Sequence, residues 1–196
     1  MGRPKASPRV ATSERLLLAA EESFGQSGFD RARLSDIAER AGISRPSLLY
    51  HFASKEALYE AVVNGAFASL AESFTGALSR RGSFEDRFDE LVGRFVAFVD
   101  ERPWMAVLLL RELVDGRGPG RDILLSAGVP LIDRIERFVR DQGHGIVRAG
   151  LPIRAALMHV VGGALVRAAA GPVRAALWGD DIDHTRALAR ALFTGA

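Results

Sequence analysis

From Leu34 to Lys55 the chain reads LSDIAERAGISRPSLLYHFASK, and its apolar and polar positions divide this stretch into two short helices. Leu34, Ile37, Ala38 and Ala41 recur at helical spacing, with Ser35, Asp36, Glu39 and Arg40 on the opposite face. Gly42 ends the first helix by supplying left-handed backbone, and Ile43 tucks beneath the turn. Ser44 is the N-cap of the second helix, which tolerates Pro46 because its earliest amides lack helical partners. Leu48 and Phe52, four apart, face the core, leaving Arg45, Ser47, Tyr50 and His51 to project outward. Helix, glycine turn and a second short helix with a polar outer face predict a helix-turn-helix.

The same spacing continues on both sides. Ser13 is the expected N-cap of a long helix with Leu16, Leu17, Ala20 and Phe24 as its buried stripe; Gly25 and Gly28 end it, and Phe29 plugs the junction. Ser54 caps a helix carrying Leu58, Val62, Phe67 and Leu70. Ser83 caps another, with Phe84, Phe88, Leu91, Phe95 and Phe98, which ends before Pro103. A short apolar stretch from Trp104 to Val114 is interrupted by Arg111 and Glu112. The segment 116–120 (GRGPG) is a loop by composition. A helix from about Asp122 to Gln142, kinked at Pro130, turns Leu131, Ile132, Ile135, Phe138 and Val139 to one face. Glycines 143, 145 and 150 with Pro152 mark the next break. Two more helices run from about Ile153 to Ala170 and from about Asp181 to Phe193. Sustained two-residue alternation is absent, so the expected fold is all-α.

The helix-turn-helix stretch resembles the DNA-binding module of the TetR family of transcriptional regulators. The resemblance covers roughly residues 13 to 62. It rests on a helix ending at Phe24, Gly28-Phe29, DIAERAGIS, His51-Phe52 and the run Ser54-Lys55-Glu56-Ala57-Leu58. It departs from the family at Leu49, where a tyrosine is usual, and at Arg33, where threonine often caps. A helix turns about 100° per residue, so Tyr50 does not copy a tyrosine at 49. The resemblance implies that His51 and Lys55 contact phosphates, and that Arg33 and Ser35 lie where the family meets the DNA backbone and sometimes a base. It also implies that the helix after Ser54 joins this module to the rest, and that the last two long helices pair two copies in a four-helix bundle.

The residue types point the same way. Arg45 has the two-pronged donor that suits guanine O6 and N7 in the major groove, Ser47 can donate to either base type, and Tyr50 can stack or bond a phosphate. Ser44 and Pro46 complete this face at the helix start. Net charge is only +2 in 196 residues, so charge alone does not indicate nucleic acid. Its placement says more: Arg3, Lys5, Arg9 and Arg15 are opposed only by Glu14 in the first fifteen residues. Residues 1–12 read as a flexible basic arm, either without a role or lying along phosphates or the minor groove. The chain has no cysteine, which excludes disulfides and thiolate metal sites. Residues 1–14 are too polar for a signal peptide, and Arg167, Pro172 and Arg174 break up the most apolar stretch, Val160 to Trp178. A cytoplasmic protein is the expectation. No nucleophile elbow, phosphate loop or metal-binding histidine spacing occurs, so neither enzyme, cofactor nor metal is expected.

In the helices from Ser83 to Ala170 the aromatic and methionine content exceeds what two thin helical layers need. An apolar effector pocket is expected among Phe95, Phe98, Trp104, Met105, Leu108, Phe138 and Met158, with Arg111 and His159 as its polar members; plain core or an internal salt bridge is the alternative. An arginine in such a wall favours an anionic ligand. Gly162 and Gly163 allow close helix approach, and Leu188 and Leu192 offer a matching face, either for a second copy or within the chain. The expected organisation is an arm (1–12), a helix-turn-helix domain (13–58) and a larger helical ligand-binding and dimerisation domain (59–196). The expected function is a homodimeric repressor that binds a palindromic double-stranded DNA operator and is released by a small hydrophobic or amphipathic molecule. A regulator without an inducer is the nearest alternative, with an all-α scaffold or enzyme behind it.

Overall fold

A computed structural model describes residues 8–115, 119–179 and 183–194, and among these the chain is helical without a strand. The N-terminal helices are α1 (Pro8–Arg31), α2 (Leu34–Arg40) and α3 (Arg45–His51), followed by the long α4 (Lys55–Ser79). The body contains α5 (Phe84–Glu101), α6 (Pro103–Asp115), α7 (Gly120–Ile123), α8 (Val129–Gln142), α9 (Ile153–Ala169), α10 (Arg174–Trp178) and α11 (His184–Phe193).

Short-range chemistry sets most helix starts. Ser44, Ser54 and Ser83 each stand in extended backbone and accept a hydrogen bond from the amide three residues on, at Ser47, Ala57 and Asp86. Gly42 has φ 70°, and the Gly42 and Ile43 amides donate back to Glu39 and Ala38, closing the turn after α2.

Four expectations are corrected. Helix α1 begins at Pro8, so Ser13 lies inside it, and residues 8–12 of the supposed arm are helical. Residues 1–7, with Arg3 and Lys5, lie outside the described residues. Gly25 does not end the helix: it is buried within α1, and a Cβ there would lie 2.8 Å from the Trp104 carbonyl oxygen and Cβ. The break comes at Gly28 (φ 76°, ψ 168°) alone. Gly120 belongs to α7 rather than to a loop, while 116–118 and 180–182 lie outside the described residues. The helix expected from Asp122 to Gln142 is α7 and α8 joined by a π-helical turn, Leu124–Gly128. Pro130 lacks an amide hydrogen and would crowd the carbonyl four residues back; the wider turn before it accommodates both effects. Helix α10 was not expected.

Two packing systems result. Leu16, Phe24, Ile37, Leu48 and Leu58, all fully buried, join α1, α2, α3 and the start of α4 into a head. In the body α5 packs on α4, α9 and α11, and α9 also touches α6 and α8. Phe84 stacks on Phe88 and Phe138, and Phe88 meets Phe193 at 4.7 Å between ring centroids. Helix α4 crosses from head to body unbroken, so residue 58 falls inside a helix. Among the described residues no single helix is long and apolar enough to cross a membrane, and α9 bends by 107° into the segment Gly171–Trp178.

Candidate nucleic-acid interface and effector cavity

The outward face of α3 is built as its spacing requires. Leu48 is fully buried and Phe52 packs against the core, which turns Arg45, Pro46, Ser47 and Tyr50 to the surface; Tyr50 is 75% exposed. Ser44 serves two bonds at once. Its Oγ accepts from the Ser47 amide at 3.2 Å and lies 2.9 Å from the Ser47 hydroxyl, so the cap orients the Ser47 side chain. The Tyr50 and His51 rings meet edge to face, 5.7 Å apart. Leu49 is half exposed beside them. Arg33 takes the N-cap position of α2 without a capping bond, and the Ser35 hydroxyl donates to Asp36 at 2.8 Å.

Lys55 is placed differently from the expectation. Its Nζ turns inward, donating to the carbonyls of Asp30 (3.1 Å) and Ala32 (3.4 Å), 4.5 Å from the Phe29 ring centre. These carbonyls follow the Gly28 break, so the ammonium tethers α4 to the end of α1 rather than reaching for a phosphate. Lys55→Ala is therefore expected to lower stability by about 1 kcal/mol, the net value of a typical hydrogen bond. Urea unfolding checks it: an unchanged midpoint would return Lys55 to a purely external role.

Behind the head, helices α4 to α9 and the π turn line a half-open cavity of about 390 Å³. Its wall is Phe67, Leu70 and Phe74 from α4, Leu91 and Phe95 from α5, Leu124 and Leu125 from the π turn, Leu131 and Ile135 from α8, and Leu157 and Met158 from α9. Only Phe95 and Met158 of the expected pocket residues line it.

The others have different surroundings. Met105 and Leu108 are buried outside the cavity wall, Phe138 stacks on Phe84, and Phe98 lies under the Arg102 guanidinium. Trp104 closes on Gly25. His159 is exposed, with Nδ1 3.0 Å from the Ala155 carbonyl of its own helix. Arg111 reaches away from the cavity, donating to the Gln26 carbonyl at 3.2 Å; it also lies where a Gly28 Cβ would stand. The case for an anionic ligand resting on Arg111 therefore lapses.

Helix α6 instead holds the head to the body. Besides Arg111 and Trp104, Arg102 at its start forks onto Glu21 of α1. The charged wall residues that sequence reasoning missed are Glu112, Arg121 and Arg154. Arg111 and Glu112 are adjacent in an apolar helix, and composition does not distinguish which one turns inward.

A helix-turn-helix head with an exposed polar recognition face, joined through one continuous helix to an all-helical body, defines a helix-turn-helix DNA-binding protein. Residues 16–62 match the family described as "Bacterial regulatory proteins, tetR family". Among relatives, the HTH-type transcriptional activator FasR of Mycolicibacterium smegmatis is 36% identical over 93 residues, 47% of this chain and 42% of that one. The HTH-type transcriptional regulator RutR of Escherichia coli is 53% identical over 60 residues, 30% of this chain and 28% of that one. The matched segments thus span less than half the length of either relative. In fold, FadR of Bacillus halodurans, described as a fatty acid degradation regulator, superposes with a TM-score of 0.76 at 16% identity, covering 96% of each chain. FadR of Bacillus subtilis, solved in complex with stearoyl-CoA, does so with 0.75 at 15% identity, covering 93% of this chain and 98% of that one. Residues 16–62 therefore carry the DNA-binding segment of that family, and the chain has the fold of a TetR-like transcriptional regulator.

Proposed function

We propose that the chain is a homodimeric repressor whose grip on a palindromic operator is released by a small molecule entering the α4–α9 cavity. One observation carries this reading: α4 begins in the head at Lys55 and supplies Phe67, Leu70 and Phe74 to the cavity wall. A ligand that moves the wall moves the head with it. The division near residue 58 is then one of roles rather than of separate bodies. The wall favours a molecule with an apolar chain, and the Bacillus subtilis FadR structure holds a ligand with such a chain, the stearoyl group of stearoyl-CoA. Coupling of roughly 1–3 kcal/mol is typical of such control. The effector must bind the two dimer shapes unequally, because equal affinity shifts nothing.

In this reading Arg45 specifies the operator, with Ser47 and Tyr50 beside it, and Arg33, Ser35 and His51 position the head on the backbone. Selection from a random DNA library tests the reading and should return a palindrome with half-sites about one helical turn apart. Arg45→Ala is expected to cost about 1–3 kcal/mol on the selected sequence and to relax preference at one base of each half-site. Unchanged affinity and preference in a gel shift would remove Arg45 from base reading. A reporter placed behind the selected operator distinguishes repression from the activation named for FasR.

A further inference from the structure

The apolar cavity wall contains one buried charged group. Glu112 of α6 is 8% exposed, and one carboxyl oxygen accepts from the Tyr59 hydroxyl. Its other oxygen, Oε2, is buried with no hydrogen-bond partner, while Gly120 packs against the carboxyl from α7. The two guanidinium groups at the wall differ from it. Arg154 is committed to Asp133 and Glu136, and Arg121 is exposed, where water and salt screen its charge. A buried acceptor left unpaired is costly and is satisfied by an arriving donor.

Tyr59 connects this group to the head. It sits 1% exposed on α4, edge to face with Phe24 (5.0 Å) and Phe29 (5.1 Å) of α1. Burial, reinforced by Glu112, pushes its phenol far above the ordinary tyrosine range, so the hydroxyl remains a donor to Glu112.

We propose that Glu112 is the polar anchor of the cavity, that it selects a ligand with an ammonium head on an apolar body, and that Tyr59 transmits its occupancy to the DNA-binding head. This rests on the ligand-controlled reading above and names the class of ligand. An ammonium gives Oε2 its missing donor and competes with the Tyr59 hydroxyl for the carboxyl. Tyr59 is then released from α6 while its ring still bears on α1. A carboxylate head would meet the same oxygen with like charge.

Decylamine, decanol and decanoate share one apolar chain and differ in the head, so they separate these cases. On the full-length wild type, thermal shift and tryptophan fluorescence should show decylamine binding at least about tenfold more tightly than either of the others, the scale of a hydrogen bond to a charged group. Glu112→Gln retains an acceptor for Tyr59 and should abolish that ratio while leaving decanol binding in place. Tyr59→Phe should still bind decylamine but no longer release the selected operator in a gel shift. A wild-type ranking that places decanoate or decanol first overturns the anchor without recourse to any variant, as does a ratio that persists in Glu112→Gln. If decanoate both stabilises the protein and releases DNA, the regulator reading stands and the Glu112 proposal falls. If no DNA is selected at all, the regulator reading falls while the probe ranking remains readable.

Discussion

Asp100→Ala is expected to lower stability by about 3 kcal/mol, measured as a fall in the urea midpoint without a change in slope. Asp100 lies near the end of α5 and receives both Arg167 of α9, at 2.7 and 2.8 Å, and Arg174 of α10, at 3.1 Å. Arg167 is among the largest fully buried side chains, at 2% exposure, and its Nε already lacks a partner. Removing the carboxylate strands a charge in the core beside a second guanidinium, and that loss exceeds what the pair contributes over an apolar replacement. The effect is placed at the lower end of the usual range because Asp100 is itself 23% exposed. The double variant Asp100→Ala/Arg167→Met should therefore be more stable than Asp100→Ala alone. A single variant within about 1 kcal/mol of wild type would show that water reaches Arg167 in solution.

The chain stated plainly what is decided within a few residues of itself. Ser44, Ser54 and Ser83 cap because a hydroxyl three residues before an amide is a local geometry, and Gly42 turns because its own φ must be positive. Gly25 and Gly28 look alike in sequence, yet only Gly28 breaks the helix. Gly25 answers to Trp104, nearly eighty positions away, and no local signal marks such a contact.

The recognition face was legible for the same local reason, since period and caps fix which residues point out. The cavity was not. Large apolar residues on an amphipathic helix face a packed core and a void with the same periodicity: Phe138 fills space against Phe84, whereas Phe95 borders the cavity. Which of Arg111 and Glu112 turns inward depends on how α6 rotates against α1, a property of the assembled fold. Lys55 matched the family motif in type and spacing, but the carbonyls of Asp30 and Ala32 captured its ammonium.

Leu188→Glu should convert the proposed dimer to folded monomers and abolish tight operator binding. In the single chain, α11 buries Thr185, Ala189 and Phe193 toward α5 and α9, which leaves Leu188 65% exposed and Leu192 at the margin. On α9, a Cβ at Gly162 or Gly163 would meet nothing within 4 Å, and Val166 is 46% exposed nearby. Two small residues with apolar neighbours on adjoining helices suit close approach by the same face of a second copy. Because a two-fold contact repeats each residue, one substitution places two unpaired charges in the interface. An unpaired buried charge costs several kcal/mol, and each 1.4 kcal/mol is tenfold in dissociation constant. Since Leu188 is exposed in the monomer, the glutamate leaves the fold intact, and circular dichroism should show unchanged helicity. Gly163→Glu tests the facing helix in the same way. Sedimentation equilibrium decides the matter. A wild-type monomer, or a Leu188→Glu dimer of undiminished affinity, would place the partner elsewhere and leave the two recognition helices without the spacing of about 34–36 Å that successive major grooves require.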